Sequence, residues 1–475
     1  MATPDHINYK LIKLFSYTGK DGKVHDIKTY YGQKWSEIKT DNEELNSIFE
    51  QVDDGDGIVQ AKELNTLNKI FLYIDSLKKK TKNNGIIEEQ ELQKFVKQLK
   101  KGSINIEEIS NMNFSESVTN WSEGIERNIR IIKMHSSMEG TDIHKELQKI
   151  GEEQGFKIEF INNSDNQWIE DSSIRRHDGK IYVSNHSNPN GFEQPLGEFM
   201  SERGNVNATG QGSIIRKGYG FDLIKREDRH YGTSYLEGGN VLNTISADGT
   251  PAAIVGETSI GMTLELLSLE NTPENVELVK KYIAEDLGLS VEQVTFIPQH
   301  EFHIDMIYRP LQNGKIAIPD YEEGIKHLTN LYNQKSAEFD QLEQDPSVSA
   351  QKREQKRDSI FELAEKIEEL KKVAKKTQSI REEANDYLKD SGYELVKIPC
   401  FSTRDSDCTN FMNGVGGTSA KTGQTFYITN KSEYTELQDV VEEYFKQAGI
   451  DNVYFVSTTE LLRKKGGIDC LTQEM

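Results

Sequence analysis

Lys464-Lys465-Gly466-Gly467-Ile468-Asp469-Cys470-Leu471-Thr472-Gln473-Glu474-Met475, at the end of the 475-residue chain, sets a cysteine just after a glycine pair. Chain ends are ordinarily frayed and chemically idle. A glycine pair lets backbone come close to a ligand, which makes Gly467 a candidate substrate-binding position and Cys470 a candidate nucleophile. Taken alone, the cysteine reads more simply as a small buried hydrophobe. Working outward, Trp168-Ile169-Glu170-Asp171, Glu237-Gly238-Gly239-Asn240 and His303-Ile304-Asp305 change that reading. Thiol, imidazole and carboxylates together are the groups of a nucleophilic enzyme acting on a cation.

Composition narrows the classes. The chain holds 57 Lys and Arg against 78 Asp and Glu, a formal net charge of -21. Nucleic acid, which needs basic surface, is not an expected partner, whereas cationic ligands are drawn in. No run approaches the ~18 apolar residues of a membrane span, and Met1-Ala2-Thr3-Pro4-Asp5-His6 lacks a secretory pattern. The expectation is a cytoplasmic protein with no membrane partner. Cys400, Cys408 and Cys470 form no Cys-x-x-Cys pair, so neither a disulfide framework nor a zinc site is indicated.

Residues 1–115 read as an N-terminal helical domain, with helical patterning from Asp41 to Leu99. Within it Val52-Asp53-Asp54-Gly55-Asp56-Gly57-Ile58-Val59-Gln60-Ala61-Lys62-Glu63 resembles an EF-hand loop with Gly57 sixth and Glu63 twelfth. Calcium ligands would be Asp54, Asp56, the Ile58 carbonyl and Glu63; Val52, at the first ligand position, has no side-chain oxygen. A second loop, Lys82-Asn83-Asn84-Gly85-Ile86-Ile87-Glu88, puts lysines where anionic ligands belong and reads as structural. The alternative for the whole region is a metal-free helix pair kept for its shape or for docking a partner.

After a polar linker the pattern turns to alternating strands and helices over 122–475, an α/β domain. Strands are expected at Ile129–Met134, Phe156–Ile161, Lys180–Val183, Ala252–Val255, Val294–Ile297 and Phe426–Thr429. Residues 320–390 interrupt them: Ile360, Leu363, Ile367 and Leu370 recur at helical spacing amid Lys and Glu. They predict an inserted coiled-coil-like helical hairpin turning at Gln344-Asp345-Pro346-Ser347, a surface for oligomer or partner contact.

His303 and Asp305, two apart on an expected strand, would point into one cavity. The imidazole would move protons and Glu237 would accept its other N–H. Trp168 would pack along a substrate stem while Asp171 pairs with its charge. The substrate that best suits these groups is a guanidinium, whose planar fork matches carboxylates. Arg175, Arg176 and Arg309 read either as grips for a substrate carboxylate or as surface charges.

Trp-x-x-Asp, Glu-Gly-Gly, His-x-Asp and Gly-Gly-x-x-Cys, in this order, resemble the guanidino-group-modifying, or pentein, superfamily over Ile129 to Met475 outside the hairpin. The resemblance implies a five-bladed, pseudo-symmetric α/β propeller with the site at its centre. It makes Cys470 the nucleophile, His303 the general acid and base, Glu237 its orienter, and Asp171 and Asp305 the guanidinium clamps. Asn413, in Phe411-Met412-Asn413-Gly414, becomes a further substrate-binding residue. The implied activity is a cysteine-dependent hydrolase, needing no cofactor for its chemistry, that converts arginine in peptides or proteins to citrulline and releases ammonia. Trp168-Ile169-Glu170-Asp171 is similar to protein-arginine deiminases, while the end segment is similar to agmatine deiminases. Agmatine or free arginine therefore stands as the alternative substrate, amidino transfer as the alternative reaction, and a calcium-responsive interaction module on this scaffold as the non-enzymatic reading.

Overall fold

The computed structural model describes residues 8–9, 12–29, 33–77, 86–112, 122–161, 168–170, 174–183, 186–187, 229–401, 409–463 and 466–474. From Ser122 onward these residues hold five three-stranded sheets of one plan: a first strand antiparallel to a central one, then a crossover to a third strand parallel to the centre. The first joins Ile174–Arg175, Ile181–Val183 and Arg229–Tyr231. Val241–Ile245, Pro251–Gly256 and Val294–Ile297 make the second, and Arg309–Pro310, Lys315–Pro319 and Glu394–Ile398 the third. The fourth has Val415–Thr418, Thr425–Asn430 and Asn452–Val456. For the fifth, Thr472–Glu474 returns from the chain end to pair with Ile131–His135, whose parallel neighbour is Lys157–Ile161.

Central strands such as Pro251–Gly256 are buried almost end to end, as expected of strands covered on both faces. The crossover helices are punctuated by their own sequences. Asp142–Gln154 starts at the Thr141 cap and stops at left-handed Gly155; Pro273–Leu287 starts at Thr272 with proline in its first turn.

The expected hairpin region forms two helices, Tyr321–Gln344 and Ala350–Asp390, the second about 60 Å long at 1.5 Å per residue. They are the crossover of the third sheet, joining Lys315–Pro319 to Glu394–Ile398. Leu363, Ile367 and Leu370 are buried with Leu328, Leu331 and Phe401. Most of the apolar stripe read as a partner surface is thus covered by this chain's own residues, with Ile360 half-buried outside that cluster.

The N-terminal region is not purely helical. Ile12–Thr18 pairs antiparallel with Val24–Thr29, because Ile, Phe, Tyr and Thr favour a pleated surface and Gly22 takes the left-handed turn between them. Ile86–Ile87 joins this sheet at Ser16 and Tyr17, whereas Ile58 bridges Lys34. Of the two similar loops only the second joins a strand, the first making an isolated bridge; the rest of the second, through Gly85, lies outside the described residues. The N-terminal core takes in Tyr231 from the first α/β sheet, and the Asn65 amide bonds both backbone groups of Tyr231 at 3.0 Å.

Arg127 holds the returning end strand. Its Nη2 donates to Glu474 Oε2 at 3.1 Å and its Nε to the Gly416 carbonyl at 3.1 Å, with both members of the ion pair under 10% exposed at 5% and 9%. Breaking such a buried pair leaves an uncompensated charge. Arg127→Met is expected to lower unfolding stability by about 3 kcal/mol, and adding Glu474→Gln should recover part of it. An unchanged urea midpoint in the single variant would remove this role.

Candidate active site

Every connection from one sheet to the next brings a side chain to one place. Trp168 and Glu170 lie between the fifth and first sheets, Glu237 between the first and second, and His303 with Asp305 between the second and third. Asn413 precedes the fourth sheet, and Asp469 and Cys470 precede the returning strand of the fifth. Asp171 lies outside the described residues.

His303 and Asp305 are not on a strand. His303 is extended (φ -126°, ψ 145°) and opens a 3-10 turn, Ile304–Met306. Both side chains nevertheless converge: a ring nitrogen of His303, a carboxylate oxygen of Asp305 and Cys470 Sγ lie within 4.8 Å of one another. His303 Nε2 donates to Glu237 Oε2 at 2.9 Å, which fixes the proton on Nε2 and leaves Nδ1 for chemistry. Phe302 stacks on the imidazole at 4.0 Å. Gly239 makes this approach possible, since a Cβ there would sit 2.3 Å from Nδ1.

The segment ahead of Glu237 is braced. Asp286 Oδ2 accepts from the amides of Thr233 and Ser234 and from the Ser234 hydroxyl at 2.8, 2.7 and 2.6 Å. His230 Nε2 bonds its other oxygen at 3.1 Å.

On the facing side Cys470 Sγ donates to Asp305 Oδ2 at 3.1 Å. Asn413 Nδ2 donates to the same oxygen at 2.6 Å and reaches Sγ at 3.3 Å, while its Oδ1 accepts from the Asp469 amide at 3.0 Å. Gly467 is needed here for close approach, because a Cβ would meet Asn413 Oδ1 at 2.2 Å. The half-buried Trp168 ring lies against Gly466.

Two acids went unassigned in the sequence. Carboxylate oxygens of Glu170, Asp305 and Asp469 lie within 4.8 Å of one another. Burial pushes Glu170 and Asp469 well above the usual carboxylate range, and each is pushed further by acids beside it. Asp305 is also raised by burial, against the pull of His303, the Cys470 hydrogen bond and Arg309. Asp469 is held by Arg309, whose Nη1 donates to Oδ2. Arg309 is 1% exposed, so it is neither a surface charge nor an open grip. Arg176 is likewise committed, to Asp178 and to the Glu285 and Asp286 carbonyls. No local pattern marked Asp469 or Arg309, since their meeting spans 160 residues.

Away from this cluster, the N-terminal loop gathers oxygens of Asp53, Asp54, Asp56 and Glu63 within 4.8 Å of one another. Asp53 joins the Asp54, Asp56 and Glu63 read from the sequence. Glu63 is already bonded: Oε1 accepts from the Asp54 amide at 2.9 Å, and Oε2 from the Gln60 amide at 2.9 Å and Trp35 Nε1 at 3.1 Å. Ile58 donates its amide to Asp56 Oδ1 at 2.7 Å.

The raised acids give the cluster a pH signature. Protonated carboxylates cannot pair with a cation, so a guanidinium must displace their protons, and affinity should rise with pH until the raised groups are ionised. For Cys470→Ser, the Kd of a guanidinium ligand measured by calorimetry should fall about tenfold per pH unit where one proton is displaced. A Kd flat from pH 5 to 8 would count against a cation held by these acids.

No protein-family model matches the chain, and no curated protein matches it. Among solved structures, a protein provisionally described as a peptidyl-arginine deiminase is similar at 12% identity, over 75% of this chain and 98% of that one, with a TM-score of 0.43. A Cys-to-Ser agmatine deiminase from C. jejuni with substrate bound is similar at 14% identity, over 75% and 95% of the two chains, with a TM-score of 0.42. For the agmatine deiminase of Enterococcus faecalis the identity is 11%, the coverage 75% and 95%, and the TM-score 0.40. At that distance in sequence and shape, what this site does has to follow from its own atoms.

Proposed function

We propose that the protein is a cysteine-dependent hydrolase that deiminates guanidinium groups, with arginine side chains of peptides or proteins as substrate. One observation carries this reading: a thiol and a Glu237-fixed imidazole meet beside a group of three carboxylates, Asp305 and Asp469 buried and Glu170 half-buried. The acids would bind a planar cation, and Asp171, next to Glu170 in sequence, would complete the clamp. The five sheets would stand as blades around this point, since each linker between them contributes to it.

With a guanidinium on Asp305, the Cys470 thiol loses that acceptor and passes its proton to His303 Nδ1. The thiolate attacks the guanidinium carbon, forming an S–C bond. His303, its charge stabilised by Glu237, returns the proton to one nitrogen, and the C–N bond breaks to release ammonia. A cationic amidino-thioether remains. Nδ1 then takes a proton from water as its oxygen attacks the same carbon. The C–S bond breaks and the leaving thiolate recovers the proton from Nδ1, which restores the thiol and the neutral imidazole; the hydroxyl proton left on the product goes to ammonia, and the neutral ureido product departs. Trp168 offers a flat apolar face for the methylene stem.

Free arginine carries an α-carboxylate that needs a cation. Of the three arginines read as grips, Arg176 is committed to Asp178 and to main-chain carbonyls, and Arg309 Nη1 to Asp469. Incubation with an arginine peptide, agmatine and free arginine, scored for ammonia and ureido product together, is expected to show peptide turnover. Cys470→Ala should reduce it at least about a thousandfold; near-normal turnover, or transfer of the amidino group to an added amine, would overturn the reading.

Calcium at the 53–63 loop is a separate part of the proposal. Three N–H groups occupy three of the roughly four lone-pair positions of Glu63, leaving monodentate binding unless the Trp35 bond breaks. Binding in the millimolar range is expected, with a change in tryptophan fluorescence that Glu63→Gln abolishes. No spectral change up to about 10 mM calcium would remove the ion from this loop.

A further inference from the structure

Glu237 is gripped from both ends. Oε2 accepts from His303 Nε2 at 2.9 Å, and Oε1 accepts from the Tyr235 hydroxyl at 3.0 Å. Tyr235 is 2% exposed, and its own amide is fixed at 3.0 Å on Thr263 Oγ1, which in turn bonds the Ser259 carbonyl at 2.7 Å. A carboxylate held by one hydrogen bond can turn about its last torsion and exchange oxygens. Held by two, it presents one oxygen at one angle to the imidazole. Two glycines follow Glu237 in a 3-10 turn, so the chain on its C-terminal side supplies no side chain for this purpose.

We propose that Tyr235 is a positioning residue for the reaction, acting through Glu237 to hold the His303 imidazole with Nδ1 towards the substrate. The proposal rests on His303 being the acid–base group of the deiminase reading. It predicts an electrostatic as well as a geometric effect. The phenol O–H draws part of the Glu237 charge to Oε1; without it, more of that charge falls on the bond to Nε2–H, and the imidazole holds its second proton to higher pH. Among the described residues, Asp305 and Cys470 are charged or titratable groups grouped with His303, with Arg309 acting from behind Asp305. None of them is altered by a change at Tyr235.

Tyr235→Phe removes only the hydroxyl. Tyr182→Phe is the control: Tyr182 donates to the Ser234 carbonyl in the same segment. The full chain, labelled with 15N-histidine, is titrated by NMR, and the His303 signals are assigned by their loss in His303→Gln. Tyr235→Phe should raise the His303 midpoint by about half a unit to one unit. It should also move the acidic limb of kcat in the same direction and reduce kcat about tenfold with little change in KM. Tyr182→Phe should leave the midpoint in place. Superimposable titrations for Tyr235→Phe and the unmutated protein, or an equal shift in Tyr182→Phe, would overturn the proposal. The NMR titration needs no turnover, so a protein without deiminase activity would sink the functional reading while this test still decided the role of Tyr235.

Discussion

Three carboxylates held within 4.8 Å of one another in the interior are the constraint on which the rest of this fold depends. Like charges that close, out of water, either lose ionisation or demand a cation. One is built in: Arg309 on Asp469. Burial alone would strip a guanidinium of its proton less readily than almost any other group, and the acids around Arg309 push it further towards the charged form. Glu123, pushed up to about 7 by its own burial, lies in the same field. A single fixed cation cannot satisfy all the acids, and Asp305 Oδ1 and Glu170 Oε2 have no hydrogen-bond partner among the described residues. These unmet acceptors would suit a mobile cation, which is what the proposed substrate would provide.

Gathering such a cluster requires backbone from distant parts of the chain, and the linkers between sheets do it. A strand alternates its side chains and must spend its backbone on the ladder. A linker can turn, cap or approach closely. His303 at the mouth of a 3-10 turn, Gly239 beneath the imidazole and Gly467 against Asn413 are three uses of that freedom. The returning strand Thr472–Glu474 then holds Cys470 from one side while Gly467 and Asn413 hold it from the other.

Much of this was legible in the sequence where the signal is local. Each of the six expected strands lies within a residue or two of an observed one, because apolar runs bounded by turn residues report burial directly, whereas the other nine strands of the five sheets were not singled out. The hairpin's spacing predicted its helices, but not that its stripe would be consumed inside the chain, since periodicity reveals a buried face and not what buries it. His303-Ile304-Asp305 brought its two side chains to one site by a turn and not by strand alternation. Its two-residue spacing does not distinguish them. The N-terminal strands were passed over because the helices after Asp41 dominated the pattern. Asp469, Arg309 and Tyr235 carry no motif of their own; each gains its meaning from a partner, and for the first two that partner is 160 residues away.

The two described cysteines sit in surroundings that residue type alone does not reveal. Cys400 and Cys470 are both buried. Cys400 follows a strand end, packed with Phe401 and Phe411, and burial raises its thiol far above the ordinary range. A backbone hydrogen bond from Phe411 favours its anion, but not enough to offset that burial. Cys470 has an acceptor at 3.1 Å, an amide at 3.3 Å and an imidazole in the same cluster. Its hydrogen bond to Asp305 makes the resting thiol a donor to the group that would bind the substrate's charge. A guanidinium arriving on Asp305 competes for that acceptor, so cation binding would release the thiol for attack. The same carboxylate would then hold the thiol inactive in the empty site and recruit the substrate that frees it.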